Sequence, residues 1–148
     1  ARNGYKVSLA RCYTFIGRNI MPYNYVISDL INDALKKKEI KLKTTANLYR
    51  SFMHSDDLAK WLITIVKNSN TKCPIYNVGS DKVINLRKLT KKIAKLFDKK
   101  TLLKKISSKK FDYYCPSIAK AKKELNLKIS INLNDALNST IKSLNDKN

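Results

Sequence analysis

Along residues 5–12 (Y-K-V-S-L-A-R-C) apolar positions run together without strict alternation, and they continue into Tyr13, Thr14, Phe15 and Ile16 before Gly17 ends the run. A strand buried on both faces, as in a parallel sheet, has this pattern. Val26, Leu30, Ile31, Ala34 and Leu35 then recur at helical spacing, with Ser28 and Asp29 near the start and Lys36, Lys37 and Lys38 at the end, where cations suit the helix dipole. Ile40, Lys41 and Leu42 predict a short strand, and the polar stretch 44–47 predicts a turn leading to Y-R-S-F-M-H at 49–54. Ser55 is expected to cap the next helix, with Asp56 and Asp57 in its first turn and Leu58, Trp61, Leu62, Ile65 and Val66 on one apolar face. A turn over 68–74 separates it from a strand at 75–78, closed by Gly79. Asn85 and Ser117 are expected to cap two more helices, one burying Leu86, Leu89, Ile93 and Phe97, the other Ile118, Ala121 and Leu125. A last helix begins near Asn134 and turns Ala136, Leu137, Ile141 and Leu144 inward. Strands alternating with helices predict an α/β fold.

The 148 residues, 43% of them hydrophobic, have the size of one domain and enough apolar mass for a core. The longest apolar run, 61–66, falls far short of the roughly 18 to 20 residues of a membrane helix. The start carries no signal-peptide pattern, so a cytoplasmic protein without membrane contact is expected. Ala1 leads directly into the first strand, which suggests that the sequence begins inside a longer polypeptide. Cys12, Cys73 and Cys115 are an odd, widely spaced set and His54 is the single histidine, so buried free thiols are expected rather than disulfides or a metal site. A formal charge of +20 would ordinarily indicate nucleic acid. Here arginine supplies only Arg2, Arg11, Arg18, Arg50 and Arg87, and the lysines fall in short groups such as 36–38, 91–95 and 120–123. Solvated helix faces explain that grouping better than one basic and aromatic stripe; a basic module for nucleic acid or another polyanion is the alternative.

Two absences bear on chemistry. Glycine occurs only at Gly4, Gly17 and Gly79, so there is no G-x-G-x-x-G loop, and none of the eight tyrosines is followed by lysine four residues on. Arg50 is expected alone in a turn between an apolar run and a capped helix, flanked by Tyr49 and Phe52. Its guanidinium either forks onto a diphosphate or lies at the surface, paired with Asp56 or Asp57. His54 has no carboxylate or cysteine at a telling spacing and reads as structural.

Four segments stand in a shared order: V-S-L-A-R-C-Y-T-F-I-G-R at 7–18, R-S-F-M-H-S-D-D-L-A at 50–59, Y-N-V-G-S at 76–80 followed by N-L-R-K-L, and P-S-I-A-K-A-K-K-E-L-N-L at 116–127. Together they resemble the extended short-chain dehydrogenase/reductase family, whose members epimerise, dehydrate or reduce nucleotide sugars. The resemblance covers the C-terminal half of that family. It implies the last strands of a Rossmann-type parallel sheet plus a small mixed α/β substrate-binding lobe, the glycine loop and Y-x-x-x-K pair belonging to the preceding half.

It also implies roles. Arg50 would contact the diphosphate of a nucleotide-diphosphate sugar, Tyr13 and Thr14 the sugar region, and Cys12 the NAD(P) side, while Asp29 stands where many members carry an asparagine that touches the substrate. Asp57 matches an aspartate that accepts backbone hydrogen bonds. Departures are Arg18 for a usual proline, 44–47 for a glycine-containing turn, and Tyr113 near the place of a second phosphate arginine, with Lys109 and Lys110 as substitutes. NAD(P) and a complementary N-terminal Rossmann half, in the same or a separate chain, would complete the enzyme. By itself the chain would supply no catalytic residue and no activity, whether as a functional half or an inactive remnant, and its first strand would invite a homodimer.

Overall fold

The computed structural model describes residues 3–17, 25–109 and 111–145; Arg18 and Lys110 lie outside them. The first apolar run divides into β1 (Leu9–Cys12) and β2 (Phe15–Ile16), and the first periodic segment forms α1 (Val26–Lys36) with Ile27, Leu30, Ile31 and Ala34 buried. β3 (Glu39–Leu42) turns Ile40 and Leu42 inward, and β4 (Asn47–Ser51), β5 (Met53–His54) and α2 (Ser55–Lys67) follow almost end to end. β6 (Ile75–Val78) leads to β7 (Val83–Asn85) and to α3 (Leu86–Leu96), which Asn85 caps by accepting the Arg87 N–H at 2.9 Å. β8 (Lys100–Leu103), β9 (Phe111–Tyr114), α4 (Ala119–Leu125) and α5 (Leu133–Asn145) complete the order.

β1 pairs parallel with β6, β2 with β5 and β3 with β8. β4 is the middle strand of a three-stranded sheet, antiparallel to β7 and parallel to β9. Parallel strands connected through helices make this the expected α/β fold. Two cores follow. One joins α1, β3, α3 and α5 through Leu30, Ile31, Ile40, Leu89, Ile93 and Leu137. The other joins α2, β6 and α4 through Trp61, Ile65, Tyr76, Val78, Ile118 and Ala121. Phe52 belongs to the first and Met53 to the second, because consecutive side chains of an extended segment leave the backbone in opposite directions.

Several local expectations change. His54, not Ser55, caps α2: its Nδ1 accepts the Asp56 N–H at 3.2 Å, which leaves the ring proton on Nε2 to donate to the Ser139 hydroxyl at 3.2 Å. Ser139 in turn donates to the Ala136 carbonyl, so the cap of α2 is tied to α5. Ile118, with no side-chain cap bond, precedes α4, and the Ser117 carbonyl instead accepts from the Asn77 amide. Val66 is 70% exposed, because α2 covers the sheet with a stripe narrower than its apolar residues suggest. β1 is not covered on both faces: β6 is its only partner strand among the described residues, and Leu9, Arg11 and Cys12 are exposed. For the same reason Cys12 is no buried thiol; Cys73, in the turn before β6, and Cys115, just after β9, are also only partly covered.

Asp57 is buried to 1% exposure in the first turn of α2. Its carboxylate accepts the backbone N–H of Ser130 and of Ile131, each at 3.0 Å, and the Ser130 hydroxyl. The segment leading into α5 is thereby fixed against α2. Asp57→Ala would leave two backbone donors and a hydroxyl without their acceptor, each costing about 1 to 3 kcal/mol if it stays dry. A loss of about 2 to 4 kcal/mol is expected in urea denaturation, with Asp57→Asn intermediate; a loss under about 0.5 kcal/mol would mean that the 130–131 segment rehydrates freely.

Candidate functional site

Arg50 lies within β4 rather than in a turn, and its register opposite Tyr114 on β9 puts Asp112 and Tyr114 on the same face of the sheet. The guanidinium is held from three sides. Nη1 donates to the Tyr49 carbonyl at 2.8 Å, Nη2 donates to Asp112 Oδ2 at 2.5 Å, and the Tyr114 ring centroid lies 5.8 Å from the guanidinium carbon. The expected surface pair with Asp56 or Asp57 does not form: Asp57 is turned to residues 130–131, Asp56 sits beside His54, to which its backbone N–H donates, and Arg50 pairs with Asp112 instead.

A cleft of about 840 Å³ opens beside this arginine. Leu30, Leu48, Phe52 and Leu86 give it an apolar lining, and Thr14, Asp29, Arg50 and Tyr114 face it together with Lys36, Lys37, Lys41 and Lys43. Asp33, also on its wall, already pairs with Lys37 at 2.6 Å and accepts the Lys41 N–H at 3.1 Å. Thr14, Asp29 and Arg50, drawn from three separate segments, thus share one cleft. Tyr13 stands one ring away, packed against Tyr114 with centroids 5.0 Å apart. Cys12 is outside the lining, at the carboxyl end of β1; packing around its sulfur still pushes the thiol above its ordinary value, which keeps it protonated. Tyr113 points to the opposite face from Arg50, where it stacks with Phe111 at 6.4 Å, and Lys109 is exposed. Asp112 and Tyr114 were not legible as site residues, since only the pairing of β4 with β9 brings them to Arg50.

Gly79 explains why two of the sequence segments occur together. A Cβ there would lie 2.9 Å from Pro116 Cγ and 3.1 Å from Tyr13 Cβ, so the end of β6, the start of the P-S segment and Tyr13 close on one another only over glycine. Neither this glycine nor Gly17, where a Cβ would meet the Ser55 side chain, offers a turn open to a dinucleotide. Among the described residues no cluster of three His, Cys, Asp or Glu side chains is placed to hold a metal, and no helix is long and apolar enough to cross a membrane.

The family model for the NAD dependent epimerase/dehydratase family matches residues 1–79, more than half of the sequence. The chain belongs to this family. No curated protein matches it at the sequence level. Among solved structures, this epimerase/dehydratase-family chain superposes on an epimerase of Methanothermobacter thermautotrophicus with TM-score 0.80 and 16% identity, over 96% of this chain and 44% of the other. It matches UDP-glucose 4-epimerase of Thermotoga maritima, solved with UDP-glucose, with TM-score 0.81 and 17% identity, over 96% and 47%. A dTDP-glucose 4,6-dehydratase of Bacillus anthracis, solved with NAD, gives TM-score 0.74 and 18% identity, over 93% and 44%. At these identities the likeness is one of fold, and this family member spans a little under half the length of each of the three.

Gly79→Ala is expected to cost this epimerase/dehydratase-family chain about 1 to 3 kcal/mol, as overpacked sites do, and to reduce the near-ultraviolet circular dichroism of the Tyr13 and Tyr114 pair. Wild-type stability with an unchanged aromatic signal would show that Pro116 yields without cost.

Proposed function

We propose that this chain is the nucleotide-sugar-binding portion of an NAD(P)-dependent epimerase or dehydratase. The observation that carries the reading is Arg50: its guanidinium is held by a backbone carbonyl, the exposed Asp112 carboxylate and an aromatic ring at the edge of a lysine-lined cleft that Thr14 and Asp29 share. A planar, preorganised fork beside positive charge suits a diphosphate, and the cleft's mixed apolar and polar lining suits the base and sugar on either side of it. Tyr13 supports this lining through Tyr114.

NAD(P) does not fit the residues at hand. Its pyrophosphate needs a glycine-rich turn at a helix N-terminus, and Gly4, Gly17 and Gly79 provide none. The cofactor belongs instead to a complementary N-terminal Rossmann half, in the same or a separate chain, with Cys12 at the boundary. The uncovered edge of β1 and the share of the neighbours' length that this chain spans both support that half as the partner.

Arg50→Ala is expected to weaken binding of a nucleotide-diphosphate sugar by about 1.5 to 3 kcal/mol in titration calorimetry, and Arg50→Lys to recover only part of the loss. Unchanged affinity in Arg50→Ala would make it an ordinary strand arginine. A salt titration separates the polyanion alternative, which predicts steep loss of affinity with salt and no preference among bases.

A second expectation concerns β1. An apolar strand with one open edge invites pairing with another chain, so the protein alone should self-associate in sedimentation experiments despite its charge of +20. Addition of the complementary half should replace that self-association by a defined complex with a higher melting temperature. A monodisperse monomer of ordinary stability would count against the half-enzyme reading.

A further inference from the structure

The ion pair at Arg50 has unequal partners. The arginine side chain is 21% exposed and held by the Tyr49 carbonyl and the Tyr114 ring, whereas Asp112 is 53% exposed on β9, which among the described residues pairs with β4 alone. The carboxylate is therefore the partner able to leave. Asp112 Oδ2 occupies Nη2 and the Tyr49 carbonyl occupies Nη1. Of the five guanidinium donors three remain, one on each Nη and the Nε N–H, and a fork that uses Nη2 meets the Asp112 carboxylate there. An anion that forks onto Arg50 through Nη2 must either displace Asp112 or sit within a few ångströms of it, where the two negative charges repel.

We propose that Asp112 is a specificity-determining residue of the cleft: by pairing with Arg50 it sets a threshold of charge that a phosphate-bearing ligand must exceed to bind. This rests on the nucleotide-diphosphate reading of Arg50. Asp112 thereby weakens any phosphate-bearing ligand that must take its place on Arg50, and holds the guanidinium in its strand-bound position until a diphosphate arrives.

Calorimetry of the full chain with uridine diphosphate and with uridine tests this. Asp112→Asn should raise affinity for the diphosphate about tenfold, leave uridine unchanged, and give no gain in an Arg50→Ala background; Asp112→Ser should behave alike. Because the pair is half-exposed, the melting temperature should move by no more than about 2 °C. A diphosphate affinity that is unchanged or weaker in Asp112→Asn, while Arg50→Ala still loses affinity, would overturn this inference alone. A gain that persists without Arg50 would overturn it too, since Asp112 would then act on the ligand directly. If Arg50→Ala loses nothing, the nucleotide-diphosphate reading fails and this one with it.

Discussion

Strand alternation sends Phe52 and Met53 to opposite sides of one backbone, and each fills a different core. The segment 50–57 consequently cannot move without disturbing both. On one side of Phe52 lies Arg50, whose face is set by the same alternation; on the other lie His54, which caps α2 and reaches Ser139, and Asp57, which gathers the N–H groups of Ser130 and Ile131. The fixed backbone places the Arg50 side chain, and its bonds to the Tyr49 carbonyl and to Asp112 restrict its rotamers. The backbone position of Arg50 is thus a consequence of packing on both sides of its neighbours, and its own contacts with the Tyr49 carbonyl, Asp112 and the Tyr114 ring then orient the guanidinium.

The carboxyl ends of the parallel strands complete that arrangement. β1 and β6 run in the same direction and end at Cys12 and Val78, so Tyr13, Thr14 and Gly79 emerge side by side. Gly79 permits Pro116 and Tyr13 to close over the strand end, and Tyr13 then meets Tyr114, the ring beside Arg50. Ligands of open α/β sheets gather at this end of the strands, and the cleft of this chain is reached from it through Thr14. The helices bring the lysines that make the cleft positive, at the ends of α1 and β3.

The parts of the fold with strong local signals were legible in the sequence. α1, α2 and α3 announce themselves by apolar spacing, β6 by Y-N-V before Gly79, and Asn85 by its place ahead of an apolar stripe. β7, β8 and β9 were missed for physical reasons. The first is three residues long, K-T-L-L follows a helix with only Asp98 to mark the turn between them, and F-D-Y-Y is exposed on both faces and so shows no alternation. Missing β9 also hid Asp112, which is 62 positions from Arg50 and meets it only through strand pairing. Buried cysteines were expected from residue type, but the burial of Cys12 depends on how many strands neighbour β1, a property of the assembly of strands and not of the thiol. Ser55 has the chemistry of a cap, yet His54 one position earlier reaches the Asp56 N–H and Ser139 together.

The central claim is that the cleft beside Arg50 receives the diphosphate of a nucleotide sugar. A crystal structure of the chain soaked with UDP-glucose tests it most directly. Diphosphate oxygens are expected about 2.7 to 3.2 Å from the Arg50 guanidinium, with the Asp112 carboxylate drawn away and the Tyr114 ring still in place. A diphosphate bound at surface lysines, with the cleft empty and the Arg50–Asp112 pair intact, would contradict it.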